Sequence, residues 1–117
     1  MENGLHVTID GKECNKKKLK DFCFIYKTLE KIPELLDMQI ITRPYVISWL
    51  DKGSRIPGIS GFVIIAESHV SIHTYPETNK LFMDLFSCKA FDSELLINFV
   101  KKTFDIKIIK KNILKRD

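Results

Sequence analysis

Residues 67–77 read Glu67-Ser68-His69-Val70-Ser71-Ile72-His73-Thr74-Tyr75-Pro76-Glu77, and they follow directly on the apolar run Phe62-Val63-Ile64-Ile65-Ala66. Two serines, a threonine, two histidines and two glutamates at the end of a buried strand put nucleophiles and acid–base groups where a fold can hold them rigidly. An imidazole with an ordinary pKa of about 6.5 exchanges a proton near neutrality, so either histidine can serve as a base. Taken singly, these residues have bland uses. A strand-edge serine is usually a surface hydroxyl, a lone histidine faces solvent, and a cysteine such as Cys88 is most often a small buried hydrophobe. His69 and His73 stand four apart, a spacing that converges on a helix but not along a strand, which makes them a poor metal site. No GxSxG elbow surrounds either serine, which weighs against a serine hydrolase.

The elements that must position this segment can be read from hydrophobic periodicity. His6-Val7-Thr8-Ile9 reads as a short strand closed by an Asp10-Gly11 turn. From Asn15, an N-cap, the apolar residues Leu19, Phe22, Cys23, Tyr26 and Leu29 recur at helical spacing up to Pro33, which ends the helix or opens a second one. Met38 to Trp49 reads as a strand broken by Pro44 or as an edge strand, and Asp51 to Gly61, with three glycines and a proline, as a loop. Strands are expected at Phe62–Ala66, Val70–Tyr75 and Leu81–Phe86, a helix at Asp92–Phe104 and a last strand at Ile106–Leu114. This order predicts an α+β fold, a two-layer α/β sandwich with a mainly antiparallel sheet and two helices on one face.

At 117 residues the chain has the length of a single domain, 1–117, and its 44% apolar and 29% charged residues are those of a chain that folds. No apolar run nears the roughly 20 residues of a membrane span, and Met1-Glu2-Asn3-Gly4 does not open like a signal peptide, so a cytoplasmic protein is expected. Cys14, Cys23 and Cys88 are odd in number and lack CxxC pairing, which predicts neither disulfides nor zinc. The net charge of +4 gathers at Lys16-Lys17-Lys18 with Lys20, and in the tail from Lys107 to Arg116. Without interleaved aromatics or a nucleic-acid motif, these runs read as solvated faces, and no nucleic-acid partner is expected.

The segment Glu67 to Glu77 resembles the self-cleavage motif of the prokaryotic S-adenosylmethionine decarboxylases. Gly58-Ile59-Ser60-Gly61 before it and Asp84-Leu85-Phe86-Ser87-Cys88 after it extend the likeness at that family's spacing, with weaker similarity at Gly4-Leu5-His6 and Asp10 to Cys14. The resemblance implies that Ser68 attacks the carbonyl of Glu67, that the peptide becomes an ester, and that elimination yields a β chain, 1–67, and an α chain, 68–117, opening on a pyruvoyl group. It implies that His73 removes the α-proton for elimination, that Ser60 aids processing, and that Cys88 donates a proton in turnover. It also implies a substrate, S-adenosylmethionine, and a homodimer of αβ protomers. The pyruvoyl ketone forms a Schiff base with the substrate amine and draws off electrons as pyridoxal phosphate would, so neither that cofactor nor a metal is expected. In an ideal strand Ser68 and His73 point to opposite faces, so the arrangement requires a bend at the cleavage point.

Departures fall around the substrate side. Tyr75 stands where the family commonly has tryptophan, Lys89-Ala90 follows Cys88 where glycine is frequent, and Ile47 to Pro57 is longer and carries Trp49. A sulfonium and an adenine ring call for aromatic faces and a carboxylate, which makes Phe62, Tyr75, Phe82, Phe86, Trp49 and Glu77 candidates for binding. Arginine or ornithine as substrate, and a paralogue that never processes itself, are the alternatives.

Overall fold

The computed structural model describes residues 4–116; Met1–Asn3, part of the stretch read as lacking a signal peptide, and Asp117 lie outside the described residues. The strands are β1 (Gly4–Lys12), β2 (Tyr45–Trp49), β3 (Gly58–Ile65), β4 (Ser68–Tyr75), β5 (Lys80–Ser87) and β6 (Ile108–Arg116). The helices are α1 (Lys16–Leu19), α2 (Phe22–Leu35) and α3 (Ser93–Thr103), with a single 3-10 turn at Pro76–Thr78. All six strands join one antiparallel sheet in the order β2-β3-β4-β5-β1-β6. This is the expected two-layer sandwich, with the helices on one face.

Strand alternation sets the two faces. Val7 and Ile9 on β1, Val63 and Ile65 on β3, Val70 and Ile72 on β4 and Leu81, Met83 and Leu85 on β5 turn toward the helices and are buried. They meet Ile25, Leu29 and Ile32 of α2 and Leu96, Ile97 and Val100 of α3 in one core. Each such side chain contributes about 1.5–3 kcal/mol by leaving water. Among the described residues the opposite face carries no helix, and Tyr45, Ile47, Trp49, Phe62, Ile64, Tyr75 and Phe82 are exposed on it. Among the described residues no helix is long and apolar enough to cross a membrane.

Five expectations about elements need correction. Gly11 makes no turn: it lies inside β1 opposite Leu81 and Ile109, and the chain reverses at Glu13, whose φ is 53°. The glycine is there for space, since a Cβ would sit 3.0 Å from Ile106 Cδ1. The first helix is two helices, because Asp21 starts α2 anew by accepting the Phe24 N–H at 3.0 Å. Pro33 neither ends α2 nor opens another helix; it is buried in the last turn, where packing outweighs one missing backbone bond. The segment read as a loop from Asp51 to Gly61 already contains the start of β3. Gly58 and Gly61 serve close packing, as a Cβ would stand 2.7 Å from the Thr74 carbonyl oxygen and 2.8 Å from Leu29 Cδ1, respectively. The stretch before Pro44 is not strand beyond one bridge, Ile40 to Ile65, and only Tyr45–Trp49 forms β2.

Candidate active site

Antiparallel pairing gathers the candidate residues into two clusters at different levels of β4. The first lies at the tip of the β3–β4 hairpin, where Ala66 and Glu67 make the connection. Glu67 adopts a left-handed backbone, φ 57°, an uncommon conformation for a side-chain-bearing residue. Its carbonyl oxygen accepts the Cys88 N–H at 3.2 Å, while the Ala66 N–H donates to the Gln39 carbonyl at 2.9 Å. The carbonyl that self-cleavage would attack is therefore held in place from the end of β5. Ser68, the first residue of β4, is 7% exposed and points toward the helices. Its hydroxyl lies 2.6 Å from Ser87 Oγ and 3.4 Å from the Ala66 carbonyl oxygen. Cys88 follows Ser87 with an exposed, unpaired thiol. Cys14 is a different kind of thiol, buried in the core, where desolvation pushes its pKa up to about 11.

The second cluster faces the open side of the sheet. Ser60 and His73 are partners in the β3–β4 register, and Ser60 Oγ and His73 Nδ1 are hydrogen-bonded at 2.8 Å. Tyr45, Ile47, Phe62 and Ser71 enclose a cavity of about 130 Å³ beside them. A larger cavity of about 310 Å³ opens next to Ser60, lined by Trp49, Asp51, Tyr75, Glu77 and the loop residues Ser54 and Ile56. Trp49 donates its indole N–H to Asp51 Oδ1 at 2.7 Å, and Glu77 Oε1 accepts the Arg55 N–H, which ties the long loop to the 3-10 turn. Tyr75 and Phe82 stack edge to face at 5.6 Å; of the aromatic candidates, Trp49 and Tyr75 line the larger cavity, Phe62 lines the smaller, and Phe86 lies away from both.

The structure thus joins Ser60 to His73, and Glu67 to the backbone of Cys88, but it does not bring Ser68 to His73. The bend at Glu67 precedes Ser68, and β4 runs regularly from there. Five residues of strand separate the two by about 17 Å, and alternation turns them to opposite faces. Sequence reasoning gave Ser87 no role. A serine before a cysteine carries no local signal, and only the register that sets it opposite Ser68 reveals its contact.

The chain matches the S-adenosylmethionine decarboxylase family over residues 5–117. An S-adenosylmethionine decarboxylase proenzyme of Clostridium botulinum is 33% identical over 115 residues, spanning 97% of this chain and 94% of that one. Another, from Thermodesulfovibrio yellowstonii, is 34% identical over 107 residues, 90% of this chain and 74% of that one. Among solved structures, the adenosylmethionine decarboxylase of Aquifex aeolicus shares the fold with a TM-score of 0.83 at 23% identity, covering 98% of this chain and 91% of that one. The Trypanosoma brucei AdoMetDC-delta26 monomer matches with a TM-score of 0.58 at 15% identity, 96% of this chain overlying 45% of the other. With a family match spanning nearly its whole length, the chain belongs to the S-adenosylmethionine decarboxylase family.

Proposed function

We propose that the chain is a proenzyme that cuts itself between Glu67 and Ser68 into a β chain, 1–67, and an α chain, 68–117, and that the product decarboxylates S-adenosylmethionine to the aminopropyl donor of spermidine synthesis. The observation that carries this reading is the hairpin tip. A serine hydroxyl kept from water adjoins a peptide carbonyl that is pinned by the Cys88 N–H and belongs to a left-handed residue, Glu67. A donor already on the carbonyl stabilises the oxygen as charge builds on it. The residues present fit a pyruvoyl group made from Ser68, which when formed supplies an electron sink for the bond broken as carbon dioxide leaves. Cys88, exposed and one residue from Ser87, is the proton donor in turnover. Trp49 and Tyr75 offer aromatic faces, and Glu77 a carboxylate, around one cavity, the chemistry that an adenosyl sulfonium requires.

Because His73 stands about 17 Å along β4 from Ser68, we assign it to the Ser68 of a second copy. The open sheet face, with its exposed aromatic and aliphatic residues, is the surface on which that copy sits. A two-fold axis across β4 between Val70 and Ser71 sets residue 73 of one copy level with residue 68 of the other, with the sheets about 10 Å apart. Ser68 turns its Cβ toward the helices, so the partner copy's imidazole would take the Cα proton from the open face. Ser60, bonded to His73 Nδ1, fixes the ring so that Nε2 is free to act. We further propose that the enzyme works in the cytoplasm, in keeping with three unpaired thiols.

The intact denatured mass of the purified protein tests the first step. Two fragments, one ending at Glu67 and one opening on a pyruvoyl group at position 68, and a whole Ser68→Ala variant are expected. A wild-type chain that stays whole would overturn the reading and leave a non-processing paralogue.

A further inference from the structure

The Ser68–Ser87 contact has no part in the reading so far, yet it is built with care in the core. Ser87 is fully buried and stands directly across β4–β5 from Ser68, 2.6 Å between hydroxyl oxygens. The Lys89 N–H donates to Ser87 Oγ at 2.9 Å, which gives that oxygen a second partner besides Ser68. The Ala66 carbonyl at 3.4 Å offers the Ser68 hydroxyl a further acceptor. Two hydroxyls can satisfy one another in either direction. Once Ser68 gives up its proton, only Ser87 remains able to donate across that contact.

We propose that Ser87 is a catalytic residue of self-cleavage, its hydroxyl holding the Ser68 oxygen and donating a hydrogen bond to it in both steps. The inference rests on the self-cleavage reading and names a residue that reading does not use. In the first step Ser68 Oγ bonds to the Glu67 carbonyl carbon, the carbon–nitrogen bond breaks, and the hydroxyl proton ends on the Ser68 nitrogen. In the second, the Ser68 Cα proton and the Cβ–Oγ bond are lost, and Oγ departs within the Glu67 carboxylate. Water then displaces the nitrogen as ammonia to leave the ketone. Ser68 Oγ is negative once its proton has gone, before its bond to carbon forms, and gains negative charge again as it leaves, and a short hydrogen bond from a buried donor favours both moments.

The test follows cleavage from the moment of synthesis by intact mass, with hydroxylamine added to part of each sample to split any accumulated ester. Wild type is compared with Ser87→Ala, Ser87→Thr and Ser87→Val, melting temperatures being recorded for each. Loss of the hydroxyl should slow cleavage by about tenfold to a hundredfold in Ala and Val, while Thr, which keeps the hydroxyl and matches Val in volume, cleaves near the wild-type rate. A Ser87→Ala chain that cuts as fast as wild type overturns the inference while leaving self-cleavage intact. Equal slowing in Thr and Val overturns it too, because space rather than the hydroxyl would then be the cause. A wild-type chain that never cuts is a failure of the parent reading, and this inference falls with it.

Discussion

If His73 serves the Ser68 of a second copy, two crippled chains should repair one another. The perturbation is co-expression of a Ser68→Ala chain and a His73→Ala chain carrying different tags. Within one chain the base lies about 17 Å from the proton it must take, against the roughly 3 Å that proton transfer needs, so service within a chain is excluded by distance. Alone, Ser68→Ala has no nucleophile, and His73→Ala loses a base contributing about a hundredfold or more. In a mixed dimer one site pairs an intact Ser68 with the other chain's intact Ser60–His73, and the second site has neither. Random pairing at equal expression makes half the dimers mixed, so about a quarter of all chains should be cut, every one of them His73→Ala. Purification through both tags raises this to half. Intact mass of that mixed dimer is the assay. A mixed dimer in which both chains stay whole would refute the composite site, as would a wild-type protein that sediments as a monomer while cleaving.

Cys88→Ala should still cut itself but lose about a hundredfold in decarboxylation per cleaved protomer, read as carbon dioxide release after mass spectrometry has counted the fragments. Thr74 accepts the Ile59 N–H at 3.1 Å and donates to the Leu19 carbonyl at 2.8 Å. The near-isosteric Thr74→Val should leave both groups unpaired and cost about 1–3 kcal/mol in urea unfolding of the uncleaved Ser68→Ala background. Cys14 should make stability fall at alkaline pH. Its folded pKa is raised from 9.0 to about 11, so between those values the unfolded chain has lost the thiol proton that the folded chain retains. Stability therefore declines as pH rises from 9 toward 11, and the urea midpoint of Cys14→Ala should fall less steeply over that window.

Much of the fold was legible because the core obeys strand alternation: Val70 and Ile72, or Leu81, Met83 and Leu85, alternate with polar or exposed neighbours as a half-buried strand must. The misreadings came where small residues served packing. Gly11, Gly58 and Gly61 look like turn punctuation in sequence, yet each sits where a neighbouring chain or side chain comes too close for a Cβ. Pro33 likewise looks like a stop signal, and only its burial explains why α2 passes through it. For the site, alternation already set Ser68 and His73 on opposite faces, and the structure shows no compensating bend between them. Ser87 could not be singled out, because its meaning comes from a cross-strand register that no single segment encodes.

The place of the hairpin in the strand order bears on what a cut between Glu67 and Ser68 would leave behind. The fragment 1–67 contains β1, which lies between β5 and β6 of the other fragment, and β3, which remains paired to β4. The two fragments are interleaved in one sheet, and three strand-to-strand seams must open before they part. Cleavage would also change the kind of equilibrium that measures stability: unfolding becomes dissociation of two chains, and the midpoint shifts with protein concentration. A proenzyme and its cut product with nearly identical sheets would then melt by different laws, dilution weakening the cut one through the parting of its two fragments in addition to any dimer contact the two forms share.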